Sequence, residues 1–174
     1  MSQPPQPSAS TAHSHLDALQ PACEHLRAGG LVILPTDTVY GIGCNAADAG
    51  AVERLLASKG RGRQMPPPVL VAGPADLTGV VAQVPEAARI LMEAFWPGPL
   101  TMIVKKSERV PRETSGGLDT VAVRLPGDAN ARALIEAAGL PIAAPSANTS
   151  GRPSPTEARH VAEDLGGKID MILD

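Results

Sequence analysis

The sequence predicts a single α/β (α+β) domain built around one sheet. Three observations carry this. Short apolar runs of strand length alternate with helical stretches along the whole chain. A length of 174 residues is that of one domain. The hydrophobic fraction, 43%, is enough for a core, although aromatics make up only 2%, so that core must be built from Ala, Val, Leu and Ile.

The elements follow in order. Residues 1–14, polar and proline-rich with no apolar signal core, predict a disordered tail ahead of a domain over residues 15–174. A helix within Leu16–Ala28 is stopped by Gly29 and Gly30. Leu31–Leu34 reads as a buried strand, followed by a polar turn. A helix over Asp48–Ala57 has Val52, Leu55 and Leu56 at helical spacing and Asp48 as its N-cap. Val69–Ala72 is a strand, and Pro85 starts a helix to Phe95 with Ala88, Leu91, Met92 and Phe95 on its inner face. Leu100–Lys105 and Thr120–Leu125 are strands separated by a loop holding Gly116 and Gly117, and Asp128 opens another helix. Pro141–Ala144 is a strand. Ser154, Pro155, Thr156 and Glu157 match a capping box with proline at the first helical position, so a helix should run to about Leu165. Ile169–Leu173 is the last strand.

Several function classes are disfavoured. A formal net charge of −3 and the scarcity of aromatics oppose a general nucleic-acid binder that stacks bases. Cys23 and Cys44 form no CxxC pair and read as buried thiols in a reducing compartment, and no Cys/His cluster has zinc spacing. No run reaches transmembrane length, which predicts a soluble cytoplasmic protein without membrane contact. No Ser/His/Asp or Cys/His set is visible, and His25 and His160 fall on exposed helix faces, so neither a covalent nucleophile nor a resident metal is expected.

Four stretches carry the chemistry. Pro35–Gly43, PTDTVYGIG, follows a buried strand, where α/β ligand sites commonly form; it reads equally as an ordinary polar turn. Lys59, Arg61 and Arg63 alternate with glycine. They suit an anion such as a triphosphate, or simply complement a helix C-terminus. This is no P-loop, because GxxxxGK[ST] is absent. Arg124 ends an apolar strand and needs a carboxylate partner, from a ligand or from a structural salt bridge to Asp119 or Asp128. Finally, Pro141–Thr156, PIAAPSANTSGRPSPT, opens a strand into a loop of hydroxyls and an amide whose backbone is restricted by Pro141, Pro145, Pro153 and Pro155.

Taken together, PTDTVYGIG, SKGRGR, WPGPLT, GLDTVAVRLP and PIAAPSANTSGRPSPT, in this order from about Gly29 onward, resemble the YrdC-like family of threonylcarbamoyl-AMP synthases. The resemblance implies a twisted mixed sheet flanked by helices around a concave, positively charged cavity. It implies that L-threonine, bicarbonate and ATP give threonylcarbamoyl-AMP and pyrophosphate, after which a transfer complex modifies tRNA. Carried over by position, Thr38, Arg124 and the backbone at Ala144 would hold threonine. Lys59, Arg61, Thr120, Ser146, Asn148 and Ser154 would hold ATP, with Mg2+ borne by the phosphates and water. Relatives carry an asparagine and a histidine where Met65 and Leu70 stand, and they continue past the last strand, so the domain is expected to be C-terminally truncated. Two other classes fit parts of the pattern. One is a double-stranded RNA or tRNA-binding module without catalysis. The other is the carbamoyl-adenylate domain of a hydrogenase maturation factor, whose acylphosphatase and zinc-finger segments are absent from this chain.

Overall fold

The computed structural model describes residues 19–60, 62 and 65–174. The expected tail and the phosphate ligand Arg61 lie outside these residues. The first described element, α1, covers residues 19–27. Leu19, Ala22, Cys23 and Leu26 make its buried stripe, and Gly29 leaves the helix at φ 82°, where an L side chain is strained. Then follow β1 (Val32–Leu34), β2 (Gly41–Asn45), α2 (Ala49–Ser58) and β3 (Val69–Leu70). A 3-10 turn (Pro74–Asp76) leads into α3 (Leu77–Val80) and α4 (Glu86–Phe95). The chain continues through β4 (Met102–Lys105), α5 (Arg112–Ser115), β5 (Thr120–Arg124), α6 (Ala129–Ala138) and β6 (Ile142–Ala143) to α7 (Ala158–Leu165) and β7 (Met171–Ile172).

The strands form one sheet in the order β4-β5-β3-β6-β2-β1-β7. It is mixed: β3 runs parallel to β5 and β1 to β7, while the other neighbours are antiparallel. Residues opposite one another in register share a face. Val32, Leu34, Leu70, Ile142 and Ala144 pack on one side under α1 and α6. Ile33, Ile42, Cys44, Val69, Val123 and Ala143 pack on the other under α2, α3, α4 and α7. The first face is covered only in part. Toward β4 the floor is open: Ile103, opposite Ala122, is 73% exposed.

Four expectations are corrected. The polar turn after β1 is shorter than read, because Gly41–Asn45 is a central strand. Gly43 belongs there for packing: a Cβ would lie 2.8 Å from Ile142 Cγ2 and 2.9 Å from Leu34 Cδ2. On α4, Ala88 and Met92 are buried but Leu91 and Phe95 are exposed, together with Ile90. The chain also forms the short helices α3 and α5, which its apolar pattern does not predict. Lastly, the capping box at Ser154 does not form. Glu157 is the N-cap of α7, without a side-chain bond, because the carbonyl of Pro155 is taken by the N–H of Tyr40, 2.9 Å away, which holds residues 154–157 outside the helix. Asp48 and Asp128 do cap α2 and α6, accepting from the N–H groups of Ala51 and Ala131.

Candidate functional site

The turn between β1 and β2 is organised by Thr36. Its hydroxyl donates to Val39 O (2.6 Å) and accepts from the N–H groups of Thr38 (3.2 Å) and Val39 (3.3 Å). This presents Asp37 and Thr38 to the end of β5. There the guanidinium of Arg124 donates from Nε to Gly98 O (3.0 Å), from Nη1 to Thr38 Oγ1 (3.0 Å) and from Nη2 to Asp37 Oδ1 (2.5 Å). The carboxylate partner that a charge ending an apolar strand requires is therefore Asp37, and neither Asp119 nor Asp128. The pair is largely enclosed, with side-chain exposures of 11% and 21%. Gly127 backs Asp37 closely, since a Cβ there would come within 3.1 Å of the carboxylate. Three of the five guanidinium N–H groups are engaged by these bonds, and the other two have no partner among the described residues.

Arg124 lines a cavity of about 200 Å3 with Thr36, Gly41, Leu70, Thr101, Ala144 and Ser146. The loop after β6 forms its far wall. Two backbone bonds stitch this loop to β2 and the residue before it, from Ile42 N to Pro145 O (2.9 Å) and from Ala147 N to Tyr40 O (2.7 Å). Lys59 braces it from below. This lysine, at the C-terminus of α2, is 1% exposed, and its ammonium donates to the carbonyls of Ser146 and Asn148. Asn148 is 6% exposed. Its Nδ2 donates to Thr149 O (2.9 Å) and Arg152 O (2.8 Å). Its Oδ1 is buried without a donor among the described residues, a cost that a bound donor would remove.

The structure thus gathers Thr38, Arg124, Ala144, Ser146, Lys59 and Asn148 into one neighbourhood. Thr120 does not line the cavity. It lies on the same face of β5 as Arg124, four residues away, or about 13 Å at strand rise. Ser154 is exposed, one residue before the proline that meets Tyr40. Sequence reasoning missed Asp37 and Gly98 as partners of Arg124. Both lie inside motifs it had marked, but neither residue type signals such a role by itself. Leu70, where relatives carry histidine, is buried in the cavity wall, and Met65 is half exposed.

Tyr40 and Asp164 have displaced titrations. The Tyr40 phenol, which donates to Asp174 Oδ1 at 2.5 Å, is pushed up to about 12 by that hydrogen bond, with burial adding to it. The Asp164 carboxyl is held below its usual value, chiefly by the backbone N–H of Thr149. No group of three or more His, Cys, Asp or Glu among the described residues could hold a metal ion, and none of the described helices is long and apolar enough to cross a membrane.

A profile of the Sua5/YciO/YrdC family, described as "Telomere recombination", matches residues 24–174. Threonylcarbamoyl-AMP synthase of Pyrococcus abyssi is 52% identical over 153 residues, covering 88% of this chain and 45% of its own length. The enzyme of the same name from Bacillus subtilis is 47% identical over 150 residues, 86% of this chain and 43% of its own. The crystal structure of P. abyssi Sua5 complexed with L-threonine aligns with a TM-score of 0.90 at 50% identity, over 91% of this chain and 47% of that one. The chain therefore spans less than half the length of these relatives.

Proposed function

The chain belongs to the Sua5/YciO/YrdC family, and on that premise we propose that it forms L-threonylcarbamoyl-adenylate from L-threonine, bicarbonate and ATP, releasing pyrophosphate. In this reading the product serves threonylcarbamoyladenosine modification of tRNA in the cytoplasm, through a separate transfer complex. The observation that carries it is the guanidinium of Arg124, fixed at a cavity wall with two N–H groups left for a carboxylate. The Sua5 structure with L-threonine supports threonine as the occupant. Thr38 and the backbone at Ala144 would then flank the amino acid.

The adenylate extends from there along the open floor of the sheet toward Thr120, with Ser146, Asn148 and Ser154 along its path. Arg61 meets the phosphates, while Lys59 adds positive potential from beneath the loop. Mg2+ travels with the nucleotide, held by phosphates and water. The threonine amine first condenses with bicarbonate, with loss of water, to give a carbamate; a carbamate oxygen then bonds to the α-phosphorus of ATP as the bond from that phosphorus to pyrophosphate breaks. No protein nucleophile is required. The chain's part is to hold the reactants in contact and to stabilise charge with fixed dipoles and cations. The alternative of an RNA-binding module without catalysis finds no support among relatives named for synthase activity.

The test is pyrophosphate release from ATP. Release should require both L-threonine and bicarbonate, and it should fall at least tenfold in Arg61→Ala, the loss expected when one charge-assisted contact to phosphate is removed. Release that ignores either substrate would refute the proposal.

A further inference from the structure

We propose that Asp164 is a positioning residue for the nucleotide: from α7 its carboxylate holds Thr149 and Arg152, and so fixes the loop that presents Ser146 and Asn148. This deepens the reading of function above and rests on it.

The geometry is specific. Asp164 Oδ2 accepts the backbone N–H of Thr149 at 2.7 Å, and Oδ1 accepts the hydroxyl of Thr149 at 3.4 Å and a guanidinium N–H of Arg152. The carboxylate is 12% exposed and the Arg152 side chain 65%. Thr149 and Arg152 are also the residues whose carbonyls receive both N–H bonds of the Asn148 amide. On the other flank, Lys59 O accepts the N–H of Ser150 at 3.0 Å, and the Lys59 ammonium holds the carbonyls of Ser146 and Asn148. The loop is therefore tied between two helices, by Lys59 at the end of α2 and by Asp164 on α7. Lys59 holds the carbonyl of Asn148 itself, and Asp164 holds Thr149 and Arg152, the two residues to which the Asn148 amide donates.

A carboxylate beside a site for an anionic nucleotide would ordinarily repel the ligand. Here it is turned onto an N–H, a hydroxyl and Arg152, so its charge is matched locally and its effect is geometric. Removing it would leave the Thr149 N–H without an acceptor, release Arg152 and loosen the carbonyls that orient the Asn148 amide. Among the described residues, the side chains of Thr36, Thr38 and Arg124 at the threonine end have no hydrogen bond to Asp164, Thr149 or Arg152.

The experiment compares wild type, Asp164→Ala and Asp164→Asn by titration with L-threonine and, separately, with a non-hydrolysable ATP analogue, alongside amide exchange of Thr149 and Ser150. Asp164→Ala should weaken the analogue about tenfold, the loss expected for a hydrogen bond to a charged group. It should speed exchange at Thr149 and leave L-threonine affinity within about twofold. Asp164→Asn, which keeps an acceptor for Thr149, should fall between. A merely structural residue would lower both affinities together, and that result, or unchanged affinity for the analogue, overturns the inference alone. A wild-type chain that binds L-threonine but no ATP analogue overturns the inference and the functional reading together.

Discussion

Arg124 is a charge at the end of an apolar strand, and every donor that it uses is aimed. Its partner Asp37 and its ligand Thr38 come from one turn, while Gly98 comes from the WPGPLT segment, so three sequence motifs converge on a single guanidinium. Lysine could keep the charge at this position but not the fork. Tyr40, in the same turn, provides a residue-scale prediction. It is the only tyrosine in the chain, so its alkaline absorbance titration reports on one group. The phenol should ionise near 12 in the native protein rather than near its ordinary 10. A tyrosine raised in the folded state adds stability that is complete below the unfolded value and is lost as pH rises through the folded one. Native stability should therefore decline between pH 10 and about 12. Asp174→Asn should draw the titration back toward 10, since the hydrogen bond to Asp174 is its leading cause; an unchanged midpoint in that variant would show that the bond does not set it.

At the scale of elements, the legible parts were those in which local chemistry and tertiary demand agree. Asp48 and Asp128 cap their helices as their residue type predicts, and the apolar runs that became β1, β3 and β6 are buried, while β5 buries its alternate residues Val121 and Val123. The illegible parts are those in which the tertiary contacts decided. β2 is hard to see because Gly41 and Gly43 carry no strand propensity, and it exists because β1 and β6 offer it partners on both sides. The exposed residues on α4 cannot be told from core residues by periodicity, which reports an apolar stripe but not what covers it. The Ser154 box is locally sound but loses to the bond between Tyr40 and Pro155. This difference can be measured. Ser154→Ala should leave thermal stability nearly unchanged, whereas Asp128→Ala should cost about 1 kcal/mol through loss of the cap on α6. Equal losses in both variants would restore the capping box. Of the candidate residues, Thr38, Lys59, Arg124, Ala144, Ser146 and Asn148 meet in the fold while Thr120 and Ser154 stand apart from the cavity, and the partners Asp37 and Gly98 were not legible because they act only through the three-dimensional meeting of distant turns.

For the molecule as a whole, one sheet with unequal covers explains both the stability and the site. Aliphatic side chains fill both faces, and the part left open near β4 and β5 carries Thr120, Ala122 and Arg124 along one strand. The two cysteines sit within these cores at 0% exposure. Burial pushes the Cys44 thiol up to about 12 and raises that of Cys23. Neither should react with a disulfide reagent in the native protein, while both should titrate in denaturant; rapid native reaction would indicate that the packing opens readily. We propose that this framework positions a guanidinium to take the carboxylate of threonine beside a separate nucleotide subsite. It is tested most directly by calorimetric titration of L-threonine and of an ATP analogue into wild type and Arg124→Ala. The threonine Kd should rise by about 10- to 150-fold, the range for hydrogen bonds to charged groups, with analogue affinity within about twofold. An unchanged threonine Kd, or an equal loss of both ligands, would contradict it.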